Sequence, residues 1–342
     1  MGHLALAGAL LAAQAAVAQE PVRVVATLPV YASIVEEIGG DQVVVTAIAD
    51  PDEDAHFVRP KPSFALELRR ADLFVNTGLD LELWVPPLLD RASNSQVLEG
   101  GRGYVTAYTG VRLLDIPEVA DRSQGDIHIY GNPHLHTDPL RVLQIARNIT
   151  TGLKRVAPER AATWDSGLAR FQERIHRRLF GDELVDLLGG EALEGMALSG
   201  NLLPFLENRE YQGRRLNNAL GGWLEEARAL RGRNVICYHK DWAYLEDRFG
   251  LRCAAYVETK PGIPPTPRHV AGLIDLMEGQ DIRVVIAPSY YDRTKVEGVA
   301  QRGGGTAVVL PFYPGSGEAD DYFELVDLWL DRIGEALSAS QE

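Results

Sequence analysis

Two imidazoles stand between two prolines in Gly131-Asn132-Pro133-His134-Leu135-His136-Thr137-Asp138-Pro139. Proline fixes its own backbone and pushes the residue before it, here Asn132 and Asp138, out of the helical region. The two histidines are therefore carried on a stiff loop. In an extended segment side chains alternate faces, which would point His134 and His136 to the same side. Two further histidines, His56 and His239, lie far away in sequence, one on each side of this loop. Imidazole suits borderline cations such as zinc, which take it in tetrahedral sites. The chemistry this pattern suggests is the capture of one metal ion by loops that converge from separate parts of the chain.

Other chemistries lack their signatures. No His-Glu-x-x-His pair marks a hydrolytic zinc helix, and no serine has the setting of a nucleophile elbow. Gly303-Gly304-Gly305 lies between a helix pattern and a strand pattern, the wrong order for a phosphate loop. A zinc-dependent hydrolase stays open as the alternative from another class, because three protein ligands plus water is also a catalytic pattern.

The elements around these histidines alternate as strand and helix. Val22 to Leu28 reads as a buried strand, Pro29 to Gly39 as a helix and Val43 to Ile48 as a second strand. That spacing is a right-handed parallel crossover, and it leaves His56 on a loop after the carboxyl end of a strand, where open α/β sheets bind ligands. Asn234 to Tyr238 is a strand with His239 at its carboxyl end, so the second half repeats the placement of the first. Val111 to Leu114 is expected to be the last strand of the first lobe. His128, in the long connection from Asp115 to Asn132, reads as a bystander, and His269 as structural. From Leu140 to Phe180 apolar positions recur at helical spacing, with a break expected near Ala157-Pro158. Such a helix most simply serves as a rigid strut between lobes.

The expected architecture is α/β: two Rossmann-like lobes with parallel sheets, joined by one long backbone helix, with the metal site in the cleft between them. The expected divisions are a signal peptide at 1–18, a first lobe at 19–139, the linking helix at 140–180 and a second lobe at 181–342. Within the second lobe, 181–232 is atypical.

The chain has 342 residues, 46% of them hydrophobic and 24% charged, which is an ordinary globular balance for two domains. A net charge of -14 argues against a nucleic-acid partner. The apolar run from Leu4 to Ala18 ends in Ala16-Val17-Ala18 before Gln19, the pattern of a secretory leader, although its first residues offer His3 and no Lys or Arg. Export to the periplasm is the expectation, with no membrane span in the mature chain. Cys237 ends one expected strand and Cys253 begins the next, so parallel neighbours would hold them at opposite edges of the sheet. Two free thiols are expected.

Several stretches together resemble the zinc and manganese solute-binding proteins of bacterial ABC importers. They are Val25-Ala26-Thr27-Leu28-Pro29-Val30, the His56 loop with Arg59-Pro60-Lys61-Pro62-Ser63, Ala71 to Leu79, Asn132-Pro133-His134, and Tyr238-His239-Lys240-Asp241-Trp242-Ala243-Tyr244-Leu245. The likeness covers nearly all of the mature chain except roughly 181–232. It implies a receptor without a catalytic step that captures zinc, or manganese or iron as alternatives, and delivers it to a membrane permease with a cytoplasmic ATPase. A metallochaperone is a further partner to consider, and the chain is expected to be a monomer. Carried over position by position, His56 and His134 match the first-lobe ligands and His239 the first ligand of the second lobe. The family often has an aspartate just after the final strand, where this chain reads Val309-Leu310-Pro311-Phe312-Tyr313. The fourth ligand is thus open among water, His136, Glu318, Asp320 and Asp321, with His136 expected mainly to orient His134.

Overall fold

The computed structural model describes residues 20–117, 128–260 and 262–340. The leader expected at 1–18 lies outside the described residues. The first sheet holds β1 (Val22–Ala26), β2 (Val43–Ala47), β3 (Leu73–Asn76) and β4 (Tyr104–Thr106) in the order β2-β1-β3-β4, every pair parallel. The chain returns to opposite sides of β1, so the crevice beyond the carboxyl end of β1 is a topological switch point. The helix Pro29–Gly39 buries Val30, Tyr31, Ile34, Val35 and Ile38. Residues 111–114 form no strand; the last strand of the lobe is β4 instead. Its signal is masked by the run Gly100-Gly101-Arg102-Gly103, yet Gly103 is needed there, because a Cβ would collide with the Asp72 carbonyl.

A two-residue hairpin, β5 (Glu210–Tyr211) and β6 (Arg214–Arg215), lies on the surface of the atypical region. That region is otherwise short helices, Asp182–Leu188, Gly190–Leu198, Leu202–Asn208 and Gly222–Glu226. The second sheet holds β7 (Asn234–Cys237), β8 (Arg252–Tyr256), β9 (Val284–Pro288) and β10 (Thr306–Leu310) in the order β10-β9-β7-β8, again parallel. β7 occupies the switch point here, as β1 does in the first lobe.

Cys237 and Cys253 form a disulfide, contrary to the expectation of free thiols. The strands are short, and Val235 pairs with Cys253, so the two cysteines are offset by two residues and not by a strand length. A register slip between Val235 and Ile236 leaves Ala254 unpaired, and the Cα atoms stand 5.4 Å apart.

The 140–180 stretch divides at Pro158 into the helices Pro139–Val156 and Ala161–Phe180. Ala157, at φ -133 and ψ 68, leaves the helical region ahead of the proline. Lys154 pairs with Asp165 at 2.7 Å, whereas a continuous helix would hold them about 16 Å apart. The two helices thus fold back on each other as a hairpin, and the linking element is the second arm alone. From that arm Arg174 bonds Glu37 of the first lobe at 2.8 Å and Asp321 of the second at 2.9 Å.

One hydrophobic core runs through both lobes, from Val24 and Leu73 through Trp164 and Phe171 to Phe312, Tyr322 and Trp329. A smaller cluster, including Ile236, Met277 and Val285, fills the outer face of the second sheet. The interlobe seam is also stitched by Asp138. Fully buried, it caps the helix Pro139–Val156 through the Leu140 amide at 3.0 Å. It also accepts from Arg248 at 2.8 and 3.0 Å and from Arg141 at 2.5 Å. Burial alone would raise its pKa, but the two guanidinium groups outweigh burial and hold the carboxyl below its ordinary range.

Asp138→Ala leaves two arginines buried without their carboxylate and should cost roughly 3–5 kcal/mol of stability, measured by thermal unfolding. Replacing both Cys237 and Cys253 by serine should cost about 3 kcal/mol for a bridge spanning 16 residues, read as a lowered urea midpoint relative to the oxidised protein.

Candidate metal centre

The loop after β2 runs through Asp54 and Ala55 to His56, and the Trp84 indole donates to the Ala55 carbonyl at 2.8 Å to pin it. Asp54 accepts from the His56 amide at 3.0 Å and from Nδ1 at 2.6 Å, which fixes the ring and turns Nε2 away from the carboxylate. His56 Nε2 lies 3.1 Å from His128 Nε2. The ring of His134 closes the group, its centroid 5.4 Å from His56 and 5.8 Å from His128. One nitrogen from each of the three histidines falls within 4.8 Å of the others. The His134 loop is itself held across the cleft. Asn132 donates to the Lys240 carbonyl at 2.8 Å, and its own carbonyl accepts from the Tyr244 hydroxyl at 2.6 Å.

His134 is 1% exposed, and neither ring nitrogen has a hydrogen-bond partner among the described residues. Burying such a group without a partner is costly. Its Nε2 is 3.6 Å from Oδ1 of Asp241, a fully buried carboxyl whose Oδ2 is also unpartnered. Tyr290 donates to Asp241 Oδ1 at 3.2 Å. His239, 3% exposed, donates from Nδ1 to the Glu258 carbonyl at 2.9 Å, the usual way a ligating imidazole is oriented.

Burial disfavours charge on all of these groups. The His128 ring is pulled down to about 3 by burial and then by repulsion from His56 and His239. His239 falls to about 4, burial again first, with the Glu258 carbonyl opposing and His56 adding to the fall. His134 lies well below its ordinary value, from burial and then the neighbouring imidazoles. Asp241 is pushed up to about 8, by burial and then by the charge of Asp54. Asp54 is lowered, because bonding to His56 and the charge of that ring outweigh its burial. At neutral pH the rings of His128, His134 and His239 are therefore uncharged, the form that binds a cation, while His56 is paired with Asp54.

Of the expected residues, His56 and His134 come together here. His239 is outside the group of three, its ring held by the Glu258 carbonyl. His128 belongs to the group and is no bystander; the available signal was its position on the loop that also carries His134. Asp241, two residues beyond His239, was the other residue missed.

His136 does not orient His134. Its Nε2 bonds the Phe312 carbonyl at 3.1 Å, and its ring packs on Phe312 at 4.6 Å, Tyr313 at 5.2 Å and Trp329 at 6.1 Å. Two of the carboxylates after the last strand, Glu318 and Asp321, are used elsewhere. Glu318 pairs with Arg332 at 3.2 Å, the Asp320 amide bonds Glu324, and Asp321 caps the final helix, Tyr322–Ala339. Phe312, just after the last strand, places its ring 5.6 Å from that of His134.

Two parallel-sheet α/β lobes and a cluster of three histidines define a two-lobed α/β class of protein. The chain belongs to the family described as ZnuA, zinc-uptake complex component A, periplasmic, whose model matches residues 24–178 and 207–336. Most of the intervening residues fall within the atypical stretch 181–232. Among relatives, the iron-binding protein YfeA of Yersinia pestis is 28% identical over 153 residues, 45% of each chain. The zinc-binding lipoprotein AdcA of Streptococcus pneumoniae is 26% identical over 153 residues, 43% of this chain and 29% of that one. These matches therefore span less than half the length of either relative. The manganese ABC transporter substrate-binding lipoprotein PsaA of Streptococcus anginosus is 20% identical over 332 residues, 93% of this chain and 90% of that one. A crystal structure of ZnuA superposes with a TM-score of 0.67 at 19% identity, over 93% of this chain and 99% of that one, a likeness of fold.

Burial also pulls the His136 ring down to about 3, against the pull of the Phe312 carbonyl. The unfolded chain takes up that proton near 6.5 and the folded chain does not, so the contribution to stability is complete above 6.5. It then falls by about 1.4 kcal/mol per pH unit as pH drops toward 3. In urea unfolding of the metal-free protein, His136→Gln should show a pH slope shallower by about one proton between pH 6 and 4.

Proposed function

We propose that the chain is an exported receptor that captures zinc in the cleft and passes it to the permease of an ABC importer driven by a cytoplasmic ATPase. It performs no chemical conversion; its substrate is the ion. The ligands are His56, His128 and His134 from the first lobe with His239 from the second, and Asp241 stands behind His134 to take up charge. The observation that carries this reading is His134, buried at the centre with both nitrogens unpartnered. An ion coordinated there supplies the missing partner. The nitrogen-rich set favours zinc over harder ions. The buried Asp241 and half-buried Asp54 carboxyls favour manganese or iron as the second reading, and relatives bearing iron and manganese in their names keep company with it.

Export would use the leader at 1–18, placing the mature protein in the periplasm, where it would act as a monomer with the divisions 19–139, 140–180 and 181–342. A metallochaperone that reloads the receptor is compatible with this arrangement.

Competition with a chelator at pH 7 should give one tight zinc site, with manganese weaker. His134→Ala should weaken it by about 100-fold or more, and His128→Ala and His239→Ala by at least about tenfold each. Unchanged zinc affinity in His134→Ala, or a tighter hold on manganese than on zinc, would defeat the zinc reading.

A further inference from the structure

A second cavity, of about 650 Å³, opens at the carboxyl ends of β3 and β4, and none of the histidines lines it. Its inner wall is polar. Asn76, the last residue of β3, is 7% exposed; its Nδ2 donates to the Tyr104 hydroxyl at 3.0 Å, while its Oδ1 is buried without a partner. Beside it Glu82, 6% exposed, accepts at Oε1 from the Thr27 hydroxyl at 2.7 Å and the Thr77 amide at 2.8 Å. The loop joining them carries Gly78, Leu79 and Asp80 at φ 78, 60 and 60, three consecutive left-handed residues that turn the chain back on itself to bring Glu82 under Asn76. Nearer the mouth, Leu83 and Tyr108 offer apolar surface, at 58% and 37% exposure, and Asp90 and Glu99 add negative charge. No Lys or Arg lines the cavity among the described residues.

The groups on this wall narrow the occupant. An anion would meet the carboxyl groups of Asp80, Glu82, Asp90 and Glu99 with no Lys or Arg on the lining to offset them, and a neutral apolar molecule would leave the Asn76 oxygen as it is. A bare metal ion has no use for the leucine and tyrosine walls. We propose that this cavity binds a small organic cation, a primary ammonium on a flat apolar body, with the ammonium on Asn76 Oδ1 and the Glu82 carboxylate and the body between Leu83 and Tyr108. The site is independent of the metal centre, and its test does not use zinc.

The experiment is a calorimetric titration of the metal-free chain with 2-phenylethylamine, against 2-phenylethanol, which has the same shape without the charge. The amine should bind about tenfold or more tightly than the alcohol, since a charged donor gains more from these acceptors. Asn76→Leu should abolish the difference between the two compounds. Should that buried variant fail to fold, Leu83→Lys at the exposed rim provides the second reading. With an unchanged unfolding temperature it should weaken the amine by about tenfold through like-charge repulsion. No amine binding up to about 10 mM, equal affinity for the alcohol, or full affinity in Leu83→Lys overturns the proposal.

Discussion

The arrangement depends first on the carboxylate of Asp138. It ends the loop that carries His134, starts the helix that follows, and takes a two-pronged grip from Arg248 in the opposite lobe. Fully desolvated, a charge of this kind is tolerated only when it is saturated with donors, and here it is. The same contacts that keep it soluble in the protein interior therefore fix the loop against the second lobe, with Tyr244 and Lys240 closing on Asn132 a few residues upstream. His134 inherits its position from this grip.

The centre itself works by the opposite rule. Around His134 burial is not compensated by charge, and the imidazoles answer it by staying neutral. Neutral nitrogen is the form in which an imidazole can ligate a cation. Asp54 and Asp241 divide the remaining work. One stays ionised against His56 and sets its ring, while burial and the charge of the first push the pKa of the other up.

Much of this was legible in the sequence. Strand-end placement brought out His56, and paired prolines brought out His134, because those signals are local; His239, singled out in the same way, lies outside the group of three. What escaped detection depends on distances that periodicity does not carry. His128 looked incidental because nothing in its own neighbourhood says that its loop returns to His56. The link between Cys237 and Cys253 rested on a register slip of one residue at Val235. The helical pattern across 140–180 was real, but periodicity is silent on direction, and Pro158 reverses the chain where a strut was expected. His136 shares its loop face with His134 on paper, whereas in the fold a short helical turn at Leu135–Thr137 swings it into the aromatic seam.

That seam, with the apolar interior continuous from β1 through the Ala161–Phe180 arm to Trp329, means that the two lobes share their main core, the second sheet keeping a smaller cluster on its outer face. Two lobes by topology are thus a single thermodynamic unit: melting either half strips the other of its inner face. The molecule should lose its structure in one cooperative step, with no half-folded survivor, and its two-part outline is a matter of shape more than of independence.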